Sequence, residues 1–82
     1  DLFAAWCGPC RALAPVLDAL AEARPELRIG KVDVDAQPEL TARFDVLTVP
    51  TLLLFRSGRL LRRTTGAKTL TELEEFLRSG EA

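Results

Sequence analysis

Apolar residues recur along the chain at two spacings, and these spacings predict most of its elements. Residues 2–5 form a short apolar run that is typical of the end of a buried strand. Residues 11–24 carry apolar side chains three and four positions apart, which predicts one buried face of a helix. These side chains are Leu13, Val16, Leu17 and Leu20. Pro9 fits the first turn, Pro15 should kink the helix, and Pro25 should end it.

The middle of the chain predicts two further strands separated by a short helix. Residues 27–34 alternate between apolar and polar, as a strand does. Residues 35–38 then open a short helix over residues 39–44, and residues 45–50 form a loop. Residues 51–55 are almost continuously apolar, so we expect a strand that is buried on both faces or nearly so.

A hairpin and a last helix complete the pattern. Ser57-Gly58 suits a two-residue turn, and Arg59–Thr65 returns as a strand. Arg62 and Arg63 within it suit a solvated edge. The last helix has an apolar stripe formed by Leu70, Leu73, Phe76 and Leu77.

Capping signals bound the last helix, and the element order then defines the fold class. Thr69 and Glu72 match the capping-box pattern at its start, and Gly80 should stop it. The predicted order is β-α-β-α-β-β-α. We therefore predict an α/β fold in which a mixed β-sheet carries helices on both faces.

Composition and charge exclude several classes of function for this chain. We expect 82 residues, with 48% hydrophobic residues, to form one domain over residues 1–82. The net charge of −1 gives no basic footprint for nucleic acid or an anionic membrane, and no apolar run is long enough for a membrane span. The absence of histidine excludes a histidine base and a histidine metal ligand. Because the sequence also has no methionine, we expect a processed chain, a truncated one or a fragment.

The two cysteines carry the clearest chemical signal. They lie three apart in Trp6-Cys7-Gly8-Pro9-Cys10, between a predicted strand and a predicted helix start. A structural disulfide here would constrain only a very short loop, and half of a zinc site would lack its other ligands. We therefore predict a redox-active dithiol. Cys7 should be the exposed nucleophile of low pKa at the helix start, and Cys10 the buried resolving thiol.

This pentapeptide is the active-site sequence of thioredoxins, and other motifs resemble that family in the same order along essentially the whole chain. They are Ala14-Pro15-Val16-Leu17, Lys31-Val32-Asp33-Val34-Asp35, Val49-Pro50-Thr51, Phe55-Arg56-Ser57-Gly58 and Gly66-Ala67. The resemblance implies a thioredoxin fold in which the family's first strand and helix have no counterpart, with Asp1 inside the central strand.

The resemblance also implies roles near the dithiol. Asp1 would be the buried proton acceptor for Cys10, against the alternative of a solvated terminal residue. Lys31 would lie beside Asp1 and tune its titration. The alternative is that Lys31 is an ordinary exposed strand lysine. Pro50 would follow a cis bond and pack against the dithiol, leaving the Val49 backbone free to pair with a substrate.

The resemblance further implies a flat, uncharged surface around Cys7 that is suited to docking a protein, formed by Trp6, Gly8, Gly66 and Ala67. Further implied substrate-binding residues are Pro9, Thr48, Val49 and Pro50. Two alternatives stay open at this point: Trp6 as a core aromatic residue, and Gly66 as a turn glycine.

The leading functional hypothesis is a cytoplasmic protein-disulfide reductase that cycles between dithiol and disulfide. The resemblance implies no bound cofactor, electrons from an NADPH-dependent thioredoxin reductase, and disulfide-containing client proteins, with neither nucleic acid nor membrane as a partner. An oxidase or isomerase of an oxidising compartment is less favoured, because Gly8-Pro9 resembles the reducing branch. A thioredoxin-like binding module, or one domain of a larger protein, is the non-enzymatic alternative.

The missing first elements lead to a last expectation. Without them, the strand predicted over residues 27–34 is a bare sheet edge, and the chain buries little apolar surface. We expect either that the physical protein carries more N-terminal residues and is a monomer, or that the open edge pairs with a second copy.

Overall fold

The computed structural model of the chain describes residues 1–79. Its strands are β1 (Leu2–Phe3), β2 (Val32–Asp33), β3 (Thr51–Arg56) and β4 (Arg59–Thr65). Its helices are α1 (Gly8–Ala23), α2 (Pro38–Arg43) and α3 (Leu70–Ser79). The predicted order β-α-β-α-β-β-α is confirmed, while the stop predicted at Gly80 lies outside the described residues.

The strands form one sheet in the order β2-β1-β3-β4. β1 runs parallel to β2, with Leu2 opposite Val32, and antiparallel to β3, with Leu2 opposite Thr51. β3 and β4 pair as an antiparallel hairpin. The mixed direction agrees with the prediction, and the central strand β1 leads directly into the cysteine pair.

Helices cover both faces of this sheet. On one face Leu13, Leu17 and Leu20 of α1 pack with Leu52 and Leu73 in a buried cluster. Successive side chains of a strand point to opposite faces, so Leu52 and Phe55 of β3 lie on different sides. The Phe55 ring meets the edge of Phe44, which follows α2, with ring centroids 5.8 Å apart. The shorter helix therefore lies on the second face.

Two strand predictions need correction. The strand expected over residues 27–34 is reduced to the two residues of β2, because β1 offers only Leu2 and Phe3 to pair with. The strand over residues 51–55 is not buried on both faces: Leu52 is buried, but the Phe55 side chain is 45% exposed. Among the described residues, Phe55 makes its ring contact with Phe44, which directly follows the short helix α2.

Local signals in the last third of the chain are confirmed at atomic level. Ser57 and Gly58 both have positive φ, 51° and 77°, as a tight hairpin turn requires. Glu72 N–H donates to the Thr69 hydroxyl at 3.1 Å, and Thr69 N–H donates to the Glu72 carboxylate at 2.9 Å. The backbone bond from Thr69 is the main reason that the pKa of Glu72 lies below its ordinary value. Leu70, placed in the apolar stripe of this helix, is exposed.

Candidate active site

The cysteine pair lies where β1 ends and α1 begins. Cys7 is the N-cap residue of α1, and its sulfur accepts a hydrogen bond from the backbone N–H of Cys10 at 3.1 Å. Pro9 occupies the first turn, where its missing N–H leaves no helical bond unmade. The first N–H groups of a helix carry roughly half a positive charge, which favours a thiolate over a thiol. The predicted helix-start position of Cys7 is confirmed.

Cys7 and Cys10 are joined in a disulfide, with their Cα atoms 5.2 Å apart. The predicted burial of Cys10 is confirmed, at 5% exposure, but the predicted exposure of Cys7 is wrong for this oxidised form, in which Cys7 is 4% exposed. The reason is packing: the pair forms a buried cluster with Ala4, against which Phe3 and Val49 also pack.

The loop before β3 faces Cys7. The peptide bond between Val49 and Pro50 is cis, as predicted, and Pro50 is buried. The carbonyl oxygen of Val49 lies 3.6 Å from the Cys7 sulfur, within reach of a thiol proton in the reduced form. Gly66, whose φ of 87° suits glycine, donates its N–H to the Pro50 carbonyl at 2.9 Å. The structure thus brings Val49, Pro50 and Gly66 to the dithiol side of the sheet.

An exposed surface surrounds this cluster. The Trp6 side chain is 68% exposed, which excludes the core interpretation, and its indole N–H donates to the Asp35 carboxylate at 2.9 Å. The other predicted docking residues that are exposed are Gly8, Pro9, Thr48 and Ala67. Trp6 also lines a cleft of about 290 Å³ together with Val49 and Leu47, whose side chain is 96% exposed.

Sequence reasoning missed two residues of this surface. The sequence places Asp35 in the Lys31-Val32-Asp33-Val34-Asp35 motif and at the opening of α2, but it does not indicate that Asp35 accepts the Trp6 indole N–H. The sequence places Leu47 in a loop, where an apolar residue two positions before Val49 is the available signal.

A second cavity, of about 180 Å³, lies behind the dithiol. Asp1, Lys31 and Cys10 all line it, so the structure brings together the three residues that were predicted to be the acid, its neighbour and the resolving thiol. The Oδ1 atom of Asp1 is buried without a hydrogen-bond partner among the described residues. The α-amino group of Asp1 donates to the Gly30 carbonyl at 3.0 Å, and its pKa is lowered by burial and then by the charge of Lys31.

Residues 1–79 contain neither a metal-binding cluster nor a membrane-spanning helix. In this part of the chain no group of three or more Cys, Asp or Glu side chains is placed to hold a metal ion. None of the three described helices is long and apolar enough to cross a membrane.

A disulfide at a helix start, covered by an extended segment and with exposed Trp6, Gly8 and Pro9 beside it, defines a thiol–disulfide exchange site. The Thioredoxin family model matches residues 1–79. The chain belongs to the thioredoxin family. It is a thiol–disulfide oxidoreductase that reduces protein disulfides.

Individual relatives agree with this assignment. Thioredoxin from Alicyclobacillus acidocaldarius is 44% identical over 78 residues, which cover 94% of this chain and 74% of that protein. A bifunctional thioredoxin reductase/thioredoxin from Mycobacterium leprae is 46% identical over 69 residues, 83% of this chain and 15% of that protein. The X-ray structure of Fasciola hepatica thioredoxin superimposes with a TM-score of 0.90 at 41% identity, covering 98% of this chain and 76% of that one.

Proposed function

We propose that the protein reduces client disulfides by a two-step exchange. The Cys7 thiolate attacks one sulfur of the client disulfide, forms a mixed disulfide and releases the other client sulfur as a thiolate. The Cys10 thiol then loses its proton and attacks the Cys7 sulfur. The bond between Cys7 and the client breaks, the second client sulfur leaves as a thiolate, and the Cys7–Cys10 disulfide remains.

The observation that carries this proposal is the hydrogen bond at the helix start. The Cys10 N–H points at the Cys7 sulfur at 3.1 Å, and such a bond stabilises negative charge on that sulfur. Cys10 lies inside the first turn of α1, so its sulfur does not occupy the N-cap position that the Cys7 sulfur has. The attacking role is therefore assigned to Cys7 and the resolving role to Cys10.

The surface around the dithiol suits an extended client segment. The buried pair is reached beside Trp6, Gly8 and Pro9 on one side and Thr48, Val49 and Ala67 on the other. None of these residues carries a charge, so docking would depend on apolar contact and on backbone hydrogen bonds to Val49. Pro50 and Gly66 hold that segment from behind.

Trapping of the mixed disulfide tests the order of the two steps. We expect Cys10→Ser to accumulate client proteins covalently attached to Cys7, because the resolving thiol is gone while the attacking one remains. Non-reducing gel electrophoresis and mass spectrometry of the adduct measure this. Adducts that form on Cys10 in a Cys7→Ser chain, but not on Cys7 in a Cys10→Ser chain, would reverse the assignment.

Asp1 is assigned as the proton acceptor for Cys10, and Lys31 as its electrostatic neighbour, because all three line one cavity. A carboxylate oxygen that is buried without a hydrogen-bond partner can accept a proton at low cost. We expect Asp1→Asn to slow the resolving step by roughly a hundredfold or more while leaving Cys7 alkylation unchanged. Quenched-flow decay of a preformed mixed disulfide measures the first quantity, and an unchanged decay rate would remove Asp1 from the mechanism.

Electrons would come from a thioredoxin reductase that uses NADPH, in a cytoplasmic setting. Supporting this partner, the Mycobacterium leprae relative joins a reductase and a thioredoxin in one chain. NADPH consumption in a coupled assay with a bacterial reductase and insulin tests it. A reduction potential near that of a strong oxidant would instead favour an oxidase.

A further inference from the structure

Positive charge is concentrated in the β3–β4 hairpin, although the whole chain has a net charge of −1. Between Asp45 and Glu72 the sequence contains five arginine or lysine residues and no acidic residue. Four of these cations, arginines 56, 59, 62 and 63, lie on the hairpin strands. The net charge of the whole chain therefore does not reveal the strongly basic surface of this hairpin.

Two of the four arginines have structural roles. The Arg62 guanidinium lies over the Phe76 ring, 5.9 Å from its centroid. Arg63 donates to the carbonyl oxygens of Phe44 and Asp45, at 2.8 and 3.3 Å. Both arginines therefore hold elements of the fold together.

Arg56 and Arg59 have no such role. They lie directly opposite each other across the Ser57-Gly58 turn, and both are exposed. Like charges in facing positions destabilise a hairpin. Within residues 1–79 neither arginine takes part in an ion pair, since the salt bridges found there are those of Arg24.

Protection of a sheet edge is one explanation of this pair. Arginine on a terminal strand discourages pairing between sheets, and β4 is the terminal strand of the described sheet, so Arg59 has that explanation. Within residues 1–79, β1 pairs with β3 only where Leu2 faces Thr51, so the side of β3 away from β4 has no neighbouring strand at Arg56, and the same explanation applies there. Edge protection does not require the two charges to face each other, and two exposed, facing guanidinium groups also suit an anionic ligand.

A cleft lined by both apolar and charged residues adjoins the pair. Its volume is about 260 Å³, and Arg56 lines it together with Leu54, Leu61 and Leu77. Arg24 and Glu26 are also in its wall, where Arg24 is paired with Glu74 and lies 3.9 Å from Glu26. The cation of Arg24 is thus neutralised within the protein, while that of Arg56 is not.

We propose that Arg56, Arg59 and this cleft form a docking surface for an acidic segment of a partner protein, whose carboxylates pair with the arginines and whose apolar side chain enters the cleft. A polypeptide fits better than a nucleic acid for two reasons. Four of the eight residues that line the cleft are leucines, which suit an apolar side chain, and the outer side of β4 offers backbone groups to an acidic strand whose carboxylates offset the arginine charges. Guanidinium groups bind carboxylates in a two-pronged manner.

This surface lies far from the dithiol. β3 has six residues at about 3.3 Å each, so the hairpin turn is roughly 20 Å from the Pro50 end of that strand. A partner held at the hairpin would leave the Cys7 side open. The docking surface goes beyond the proposed reductase activity and does not depend on it.

Peptide binding tests the docking surface directly. The probe is a fluorescein-labelled peptide with glutamates on both sides of a single leucine, and its controls replace the glutamates with glutamine or the leucine with serine. Arg56→Gln/Arg59→Gln is compared by fluorescence anisotropy with Arg28→Gln/Arg43→Gln, which removes the same charge from exposed sites elsewhere. Insulin reduction, expected to be unchanged, and thermal melts, expected for Arg56→Gln/Arg59→Gln to be no lower than that of the parent chain because this variant relieves the Arg56–Arg59 repulsion, confirm that both variants are folded.

We expect the Arg56→Gln/Arg59→Gln chain to bind the acidic peptide about tenfold more weakly, since each exposed ion pair contributes a few-fold. The Arg28→Gln/Arg43→Gln chain should lose less than about twofold, and the peptide lacking leucine should bind more weakly than its parent. Equal losses in the two variants, or no binding by the parent chain, would overturn the proposal. So would tighter binding of an oligonucleotide of equal charge, or self-association in sedimentation that Arg56→Gln/Arg59→Gln abolishes.

Discussion

Replacing Cys7 with serine should lower the rate of insulin disulfide reduction to the uncatalysed background. Only a thiolate can attack the client disulfide at neutral pH, and a serine hydroxyl is a far weaker nucleophile. The remaining Cys10 is buried and lacks the N–H bond that stabilises charge on the Cys7 sulfur. Turbidity of precipitating insulin chains, with dithiothreitol as electron donor, measures the rate.

The serine substitution is a sharp test because it preserves the helix start. A serine oxygen is a preferred N-cap and can accept the Cys10 N–H as the sulfur does, so α1 should keep its first turn. Far-UV circular dichroism and a thermal melt, compared with the reduced parent chain, verify this. A folded Cys7→Ser chain that still reduces insulin above background would show that Cys7 is not the attacking group.

Local patterns predicted the elements that depend on neighbouring residues. The α1 stripe, the Thr69–Glu72 capping box and the Ser57-Gly58 turn all agree with the structure, because their contacts lie within a few positions along the chain. The cysteine spacing likewise placed both sulfurs at the start of α1. The cis bond before Pro50 came from the family resemblance rather than from the residues themselves.

Properties that depend on distant partners were predicted less well. Alternation over residues 27–34 could not reveal that β1 offers only two residues for pairing. Phe55 is exposed where α2 does not cover the second face of the sheet. Cys7 is buried partly by Val49, which is 42 positions away along the chain. Hydrophobicity along a strand gives the tendency to be buried but not the partner that buries it.

The candidate site shows the same division. Trp6 and Asp35 are 29 positions apart, so their hydrogen bond has no local signal. The net charge of the chain did not reveal the basic hairpin, because it sums the arginines of one surface with the acidic residues of the rest of the chain. Asp1, Lys31 and Cys10 were grouped only through the family resemblance, and the structure places all three around one cavity.

Replacing Leu13 with alanine should remove a large part of the stability of the fold without touching the chemistry. Leu13 is fully buried, at 0% exposure, in the cluster that joins α1 to β3 and α3. Truncating such a side chain costs about 2–5 kcal/mol, through lost burial and the cavity left behind. A chain of 82 residues has a total of about 4–12 kcal/mol at typical values per residue. We expect the urea midpoint to fall by about 1–3 M.

Leu47→Ala is the matched control, because it removes the same atoms from a side chain that is 96% exposed and should change stability by less than about 0.5 kcal/mol. Its insulin reduction reports separately on the exposed surface near Cys7. Leu13→Ala should keep its activity in the absence of urea, since Leu13 lies one turn beyond Cys10 and contributes packing rather than reactive groups. Equal urea midpoints for the two variants would mean that the α1 cluster does not carry the stability of this fold.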